Sequence, residues 1–231
     1  MRCRRVFTLQ EQVQHHLNYL RGRLQKQAAL KVVLAGHSVG AYIVLQLLRA
    51  LKGSMQETRI QSALLLFPTI MDIAKSPRGA QELRMVRWRR SASRVGWVLS
   101  GLPACMQHWI FRLQEGSDLP PEAARGMEHF MGFHSVNNAL FMYGCEAEEI
   151  CELDTEILTH FADQCFLYFG ETDGWAPLSF RDTIQDKVPA LKVVTDSMKT
   201  PHAFVFRHSA VVADACYEEI RGKIPQTDGL S

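Results

Sequence analysis

The chain has 231 residues, 47% of them apolar and 22% charged, with a formal net charge of +2. That composition excludes wholesale disorder, and the length suits one domain with a real core. A charge balance so near neutrality does not by itself point to nucleic acid.

The opening residues MRCRRVFTLQEQ lack the apolar core of a signal peptide, and no run reaches the length of a clear transmembrane helix. Thr8 and Glu11 form a T-x-x-E capping box that opens a helix with Val13, Leu17, Leu20 and Leu24 on one face. His15 and His16 in this helix read as solvated or rim residues. A short apolar run, Val32, Val33, Leu34 and Ala35, then leads into Gly36-His37-Ser38-Val39-Gly40 and an apolar helix ending near Lys52-Gly53. This is the G-x-S-x-G nucleophile elbow in its strand–turn–helix setting. Gly36 and Gly40 are expected where close backbone approach leaves no room for a Cβ. Ser38 takes the tip of the turn, and the Val39 backbone N–H is an expected oxyanion donor. His37 is expected to point away from Ser38 along the turn.

Residues 60–67 (IQSALLLF) form a second buried strand, stopped by Pro68. From Thr69 to about Ile150 the strand rhythm disappears. It resumes at 165–169 (CFLYF), ending at Gly170; Pro177 can open a helix to about Lys187. A fourth strand spans 191–195, a closing helix 209–223, and the tail PQTDGLS reads as frayed. Strands alternating with helices imply a parallel sheet covered on both faces. The expected division is 1–68, carrying the elbow; 69–150, a cap or lid insertion; and 151–231, the C-terminal part of the core.

A serine hydroxyl is a poor nucleophile unless a histidine takes its proton and a carboxylate orients that histidine. In an elbow fold the chain order is nucleophile, acid, histidine, with the groups just beyond strand C-termini. Asp173 in GETDGWAP follows the third strand, and His202 in TPHAF follows the fourth. Asp196 is a rival acid, set too near the histidine's own loop, and His208 a rival histidine beside the last helix. No metal or organic cofactor is implied, because the acyl-enzyme route needs none. The six cysteines (Cys3, Cys105, Cys145, Cys151, Cys165, Cys216) lack metal-ligand spacing, and Cys165 reads as a buried thiol, which favours a reducing compartment.

Residues 83–113 contain six arginines and no acidic residue. Arg84, Arg87, Arg89, Arg90 and Arg94 precede a 17-residue run without formal charge, 95–111, broken near Gly101-Leu102-Pro103. The run is short for a spanning helix and suits a hairpin or bent interfacial segment, with Trp88, Trp97 and Trp109 at headgroup level. The expected membrane contacts are Arg87, Arg89, Arg90, Trp97 and Trp109. The other reading is a lid whose apolar side covers the active site. Arginines set in apolar bulk, rather than among groove-spaced polar residues, do not fit nucleic acid.

With GHSVG, LFPTI, SPRG (Ser76 to Gly79), GETDGWAP and PHAF in this order, nearly the whole chain resembles the lipid-droplet-associated serine hydrolase family. GHSxG is shared by many lipases and esterases, whereas LFPTI closely followed by Ser-Pro-x-Gly is much more particular. The resemblance implies an α/β-hydrolase in which Ser38 is the nucleophile, Asp173 the acid and His202 the base. It also implies residence on lipid droplets and endoplasmic reticulum, and a lipid ester substrate such as cholesteryl ester. Family members carry a further block supplying early strands and a glycine-containing oxyanion loop. Met1 stands only about 30 residues before the elbow strand, so a shortened form is expected, with about four parallel strands, an open edge at the elbow strand and a helical cap insertion. Two functions are carried forward: a lipid-ester serine hydrolase, and a lipid-surface protein with a weak or inactive triad.

Overall fold

The structure, a computed structural model, describes residues 6–103, 106, 109, 126 and 133–223. The expectations for Cys3, Cys105, most of 104–132 and the PQTDGLS tail lie outside the described residues.

Helix α1 (Leu9–Lys26) opens on the anticipated capping box. Thr8 Oγ1 accepts from the Glu11 N–H at 3.2 Å, and the Glu11 carboxylate accepts from the Thr8 N–H at 3.0 Å. Such a cap contributes about 1 kcal/mol by satisfying donors that the first turn leaves orphaned. Leu9, Val13, Leu17, Leu20 and Leu24 are its buried stripe.

Among the described residues four strands follow, β1 (Val32–His37), β2 (Ile60–Leu66), β3 (Cys165–Gly170) and β4 (Lys192–Asp196), all parallel and ordered β1-β2-β3-β4. The pleat divides their side chains between two cores. Ala63, Leu65, Cys165, Leu167 and Phe169 pack with α1, α2 (Val39–Leu51), α6 (Thr155–His160) and α7 (Leu178–Lys187). Leu64, Leu66, Phe166 and Tyr168 pack on the other face with Phe204 and with Val212 of α8 (Ser209–Ile220). Each fully buried Leu or Phe contributes roughly 1.5–3 kcal/mol. Cys165 is buried, and burial pushes its thiol up to about 12. β3 is buried along its whole length, whereas β1 is only half-buried and exposes Ala35, because it forms a sheet edge.

Between β2 and β3 the described residues form helices and short turns. Helix α3 (Pro77–Arg87) breaks at Trp88 into α4 (Arg89–Ser100), and α5 (Phe133–Glu149) returns against both. The buried residues of α4 are the small Ser93 and Gly96, while Val95, Trp97 and Val98 are exposed. Small residues permit close backbone approach, so α4 turns its bulky apolar side outward. Tyr143 and Ile150 join Leu9 and Ile73 where these helices meet the sheet layer, packed with Val39 and Trp175.

Candidate active site

Ser38 sits between β1 and α2 at φ 57°, ψ −125°, a positive-φ conformation that residues with a side chain rarely adopt. The turn is possible because Gly36 lacks a Cβ, which would lie 2.2 Å from the Gly40 carbonyl oxygen. Gly40 differs from expectation: a Cβ there would meet open space, since the position borders a groove beside the β1 edge. The Ser38 N–H donates to the Leu66 carbonyl at 3.0 Å, which fixes the elbow against β2. Val39 is the first residue of α2, so its N–H has no intrahelical acceptor.

Asp173 lies three residues beyond β3 and is 5% exposed. One carboxylate oxygen accepts from the Trp175 N–H at 2.7 Å, and the other faces His202 Nδ1 at 2.7 Å. The imidazole then places Nε2 2.9 Å from Ser38 Oγ. With the ring proton on Nδ1, His202 donates to Asp173 and accepts from the Ser38 hydroxyl. The structure thus brings together the three residues picked out by chain order.

The SPRG segment supports the acid from outside. Ser76 Oγ caps α3 by accepting from the Gly79 N–H at 3.0 Å, and Pro77 occupies the first helical position. The Arg78 N–H donates to the Gly174 carbonyl at 2.9 Å, clamping the loop next to Asp173. Gly79 is required by packing, since its Cβ would lie 2.0 Å from the Ile73 carbonyl oxygen.

The rival groups have other work. The Asp196 carboxylate accepts from the N–H groups of Met198 and Thr200 at 2.9 and 2.8 Å, shaping the loop that leads to His202. His208 precedes α8, and among the described residues its Nδ1 has no hydrogen-bond partner. His15 and His16 are exposed on α1.

His37 is the site residue that the motif conceals. Its side chain turns to the histidine loop, and Nε2–H donates to the His202 carbonyl at 2.9 Å. The two imidazoles are 5.0 Å apart, with Phe204 and Phe67 edge-on to His37 at 4.9 and 6.1 Å. Burial, and secondarily the nearby His202, lower its pKa from 6.5 to about 4, so the ring is neutral. Glu146 on α5 is a second unforeseen group, 8% exposed, with its pKa raised to about 7 by burial.

Between β2 and β3, Trp88, Trp97 and Trp109 are 68%, 65% and 64% exposed, and Arg87 and Arg90 are also exposed. Arg89 departs from the expected surface contact, because its guanidinium lies over the Phe141 ring of α5, 5.2 Å from the centroid. Among the described residues no helix is long and apolar enough to cross a membrane, and no cluster of side chains could hold a metal ion.

Comparison with solved structures places this geometry in a known fold. An α/β-hydrolase enzyme from a Medee basin deep-sea metagenome superposes with a TM-score of 0.61 at 12% identity, covering 100% of this chain and 77% of that one. A thermophilic esterase from Thermogutta terrifontis gives 0.59 at 17% identity, covering 96% and 75%. The chain therefore has an α/β-hydrolase fold. Among curated proteins, the lipid droplet-associated hydrolase of Mus musculus is 26% identical over 228 residues, covering 96% of this chain and 66% of the mouse protein. Those of Drosophila melanogaster and Homo sapiens are 27% and 26% identical, covering 90% and 94% of this chain and 67% and 65% of their own lengths. The chain thus spans about two thirds of the length of the curated relatives it matches. The family model for lipid-droplet associated hydrolases matches residues 1–205, a stretch that includes the elbow, the Asp173 loop and His202. On that match the chain belongs to the lipid-droplet associated hydrolase family.

Proposed function

We propose that this protein is a serine hydrolase of lipid esters, such as cholesteryl ester or another neutral lipid, working at the surface of lipid droplets and the cytoplasmic face of the endoplasmic reticulum. The observation that carries this reading is the continuous line of polar contacts from Asp173 through His202 to Ser38, at 2.7 and 2.9 Å. Ser38 Oγ attacks the ester carbonyl carbon as its proton passes to His202 Nε2. The Val39 N–H, at the positive end of α2, receives the developing oxyanion. Asp173 keeps the imidazole in its reactive tautomer and stabilises the imidazolium. The tetrahedral intermediate collapses as His202 returns the proton to the leaving alkoxide, which departs as the alcohol. Water, deprotonated by His202, then releases the fatty acid from Ser38.

The cap supports the lipid-surface part of the reading. Helix α4 presents Val95, Trp97 and Val98 outward, with the arginines Arg87 and Arg90 nearby and Trp109 exposed on the cap. Arginines meet anionic headgroups at roughly 1 kcal/mol each, and tryptophans bury at the interface. The same outward face favours a second reading, a lipid-surface protein whose triad turns over weakly or not at all.

A fluorophosphonate probe separates the two, because labelling needs an activated serine rather than the right substrate. Labelling of the parent protein that disappears in Ser38→Ala is the expected result. Undiminished labelling of Ser38→Ala refutes the assignment, and an unlabelled but folded parent favours the lipid-surface protein.

A further inference from the structure

We infer that His37 is a positioning residue for the proton relay: its ring donates to the main-chain carbonyl of His202 and thereby fixes the backbone from which the relaying imidazole projects. The inference rests on the serine-hydrolase reading of the Ser38–His202–Asp173 line.

The loop between β4 and α8 has little regular structure beyond the short 3₁₀ turn at Phe204–Phe206. Its start is held by Asp196 through Met198 and Thr200, and its end by the bonds from Phe206 to Ala203 and from His208 to Phe204. At His202 itself the anchor is the 2.9 Å bond from His37 Nε2–H. A residue on one side of the nucleophile in sequence thus grips the histidine that must face that nucleophile in space. The elbow holds both ends of the 2.9 Å contact between Ser38 Oγ and His202 Nε2.

Packing alone does not account for an imidazole here. The ring lies among Phe67, Phe204 and His202, where a phenyl group would fill the space without desolvating ring nitrogens. What histidine supplies is a donor at the distance of Nε2, on a planar ring that packs edge-on with Phe67 and Phe204. Because burial keeps the ring neutral, it places no second positive charge beside the imidazolium that His202 becomes during turnover. The carbonyl it binds requires the Nε2–H tautomer.

The test compares the parent with His37→Phe, which keeps the ring shape without a donor, and His37→Gln, whose amide nitrogen reaches about as far as Nε2. Thermal melting establishes that each variant is folded. On p-nitrophenyl butyrate, kcat of His37→Phe is expected to fall about 10- to 100-fold with KM within about twofold, and His37→Gln to recover most of the loss. A folded His37→Phe with parental kcat, in a preparation whose parent takes the fluorophosphonate label, overturns the positioning role and leaves the hydrolase reading intact. A parent that takes no label defeats the hydrolase reading instead. In either case ¹⁵N-histidine NMR addresses His37 directly. His37 should remain the neutral Nε2–H tautomer from pH 5 to pH 8, and His37→Phe should shift the His202 ring signals. His202 signals indifferent to His37→Phe overturn the inference.

Discussion

The Tyr143 hydroxyl donates to the Gly79 carbonyl at 2.6 Å, binding α5 to the first turn of α3. The same tyrosine ring meets Trp175 edge-on at 5.4 Å, and the Trp175 N–H holds Asp173. Helix α5, the start of α3 and the acid loop are therefore packed together. Tyr143→Phe should cost about 1 kcal/mol in urea unfolding, the net worth of a buried hydrogen bond. Gly79→Ala should cost about 3 kcal/mol or more, since its Cβ meets rigid backbone rather than a movable side chain. Parental stability of Gly79→Ala would show that the approach to Ile73 is looser than described.

Asp173→Asn should leave the fold in place and lower turnover by about 10⁴, because an amide cannot hold the imidazole in its reactive tautomer. Ester turnover and the rate of fluorophosphonate labelling should fall together. Asp196→Asn acts differently. It weakens the turn ahead of His202, so its effect should appear first as lost stability and only secondarily in kcat. Equal losses of activity for the two variants, at unchanged stability, would reopen the choice of acid.

Glu146 gives the protein a pH-dependent strain. Its pKa is raised from 4.5 in the unfolded chain to about 7 in the folded protein by burial, with Tyr143 on the same helix the interacting titratable neighbour. A raised pKa means that stability present below 4.5 is progressively lost as pH rises towards 7. The full loss above 7 is on the order of 3 kcal/mol. Glu146→Gln should therefore be more stable than the parent at pH 8, with the gap closing as pH falls to 4.5. Denaturant unfolding at several pH values measures it; a pH-independent difference would place the carboxyl in water.

Droplet retention should depend more on aromatic bulk than on any one arginine. Replacing Trp97 and Trp109 with Ser should weaken retention more than Arg90→Ala, and high salt should remove only part of the binding. A reporter carrying residues 83–113 should collect on droplets in lipid-loaded cells. A reporter that stays soluble there would count against a self-sufficient surface segment. Arg89→Ala should instead loosen α4 from α5, since its guanidinium covers Phe141.

Among the described residues β1 is an edge strand, and the outward backbone donors and acceptors of such an edge should promote self-association of the 231-residue chain. Ala35→Lys adds a charge at its exposed position and should lower the scattering mass of concentrated protein. An unchanged mass distribution would show that β1 is not the contact.

Much of this was legible in the residues themselves. The Thr8–Glu11 box, the apolar strand runs and the order Ser38, Asp173, His202 are local signals with local physical causes. What escaped depends on tertiary geometry. The bond from His37 to the His202 carbonyl depends on a loop more than 160 residues away. The clamp from Arg78 to Gly174 is a main-chain bond, which no side-chain type announces. Glu146 lies on a helix of low amphipathic contrast, where nothing in the spacing marks one acid among its neighbours as buried. Gly40 misled for the opposite reason: its place in the motif suggested crowding that the edge position of β1 removes.

Ser38 and His202 are 164 residues apart, and Asp173 joins them from a third strand end. During synthesis the elbow emerges 164 residues before its partner. Until β4 docks beside β3 and carries the histidine loop home, the serine is an ordinary alcohol on a half-built sheet. On the proposed hydrolase reading, an activated Ser38 would therefore report that the three strand ends have come together, and a chain cut before His202 would lack that activation.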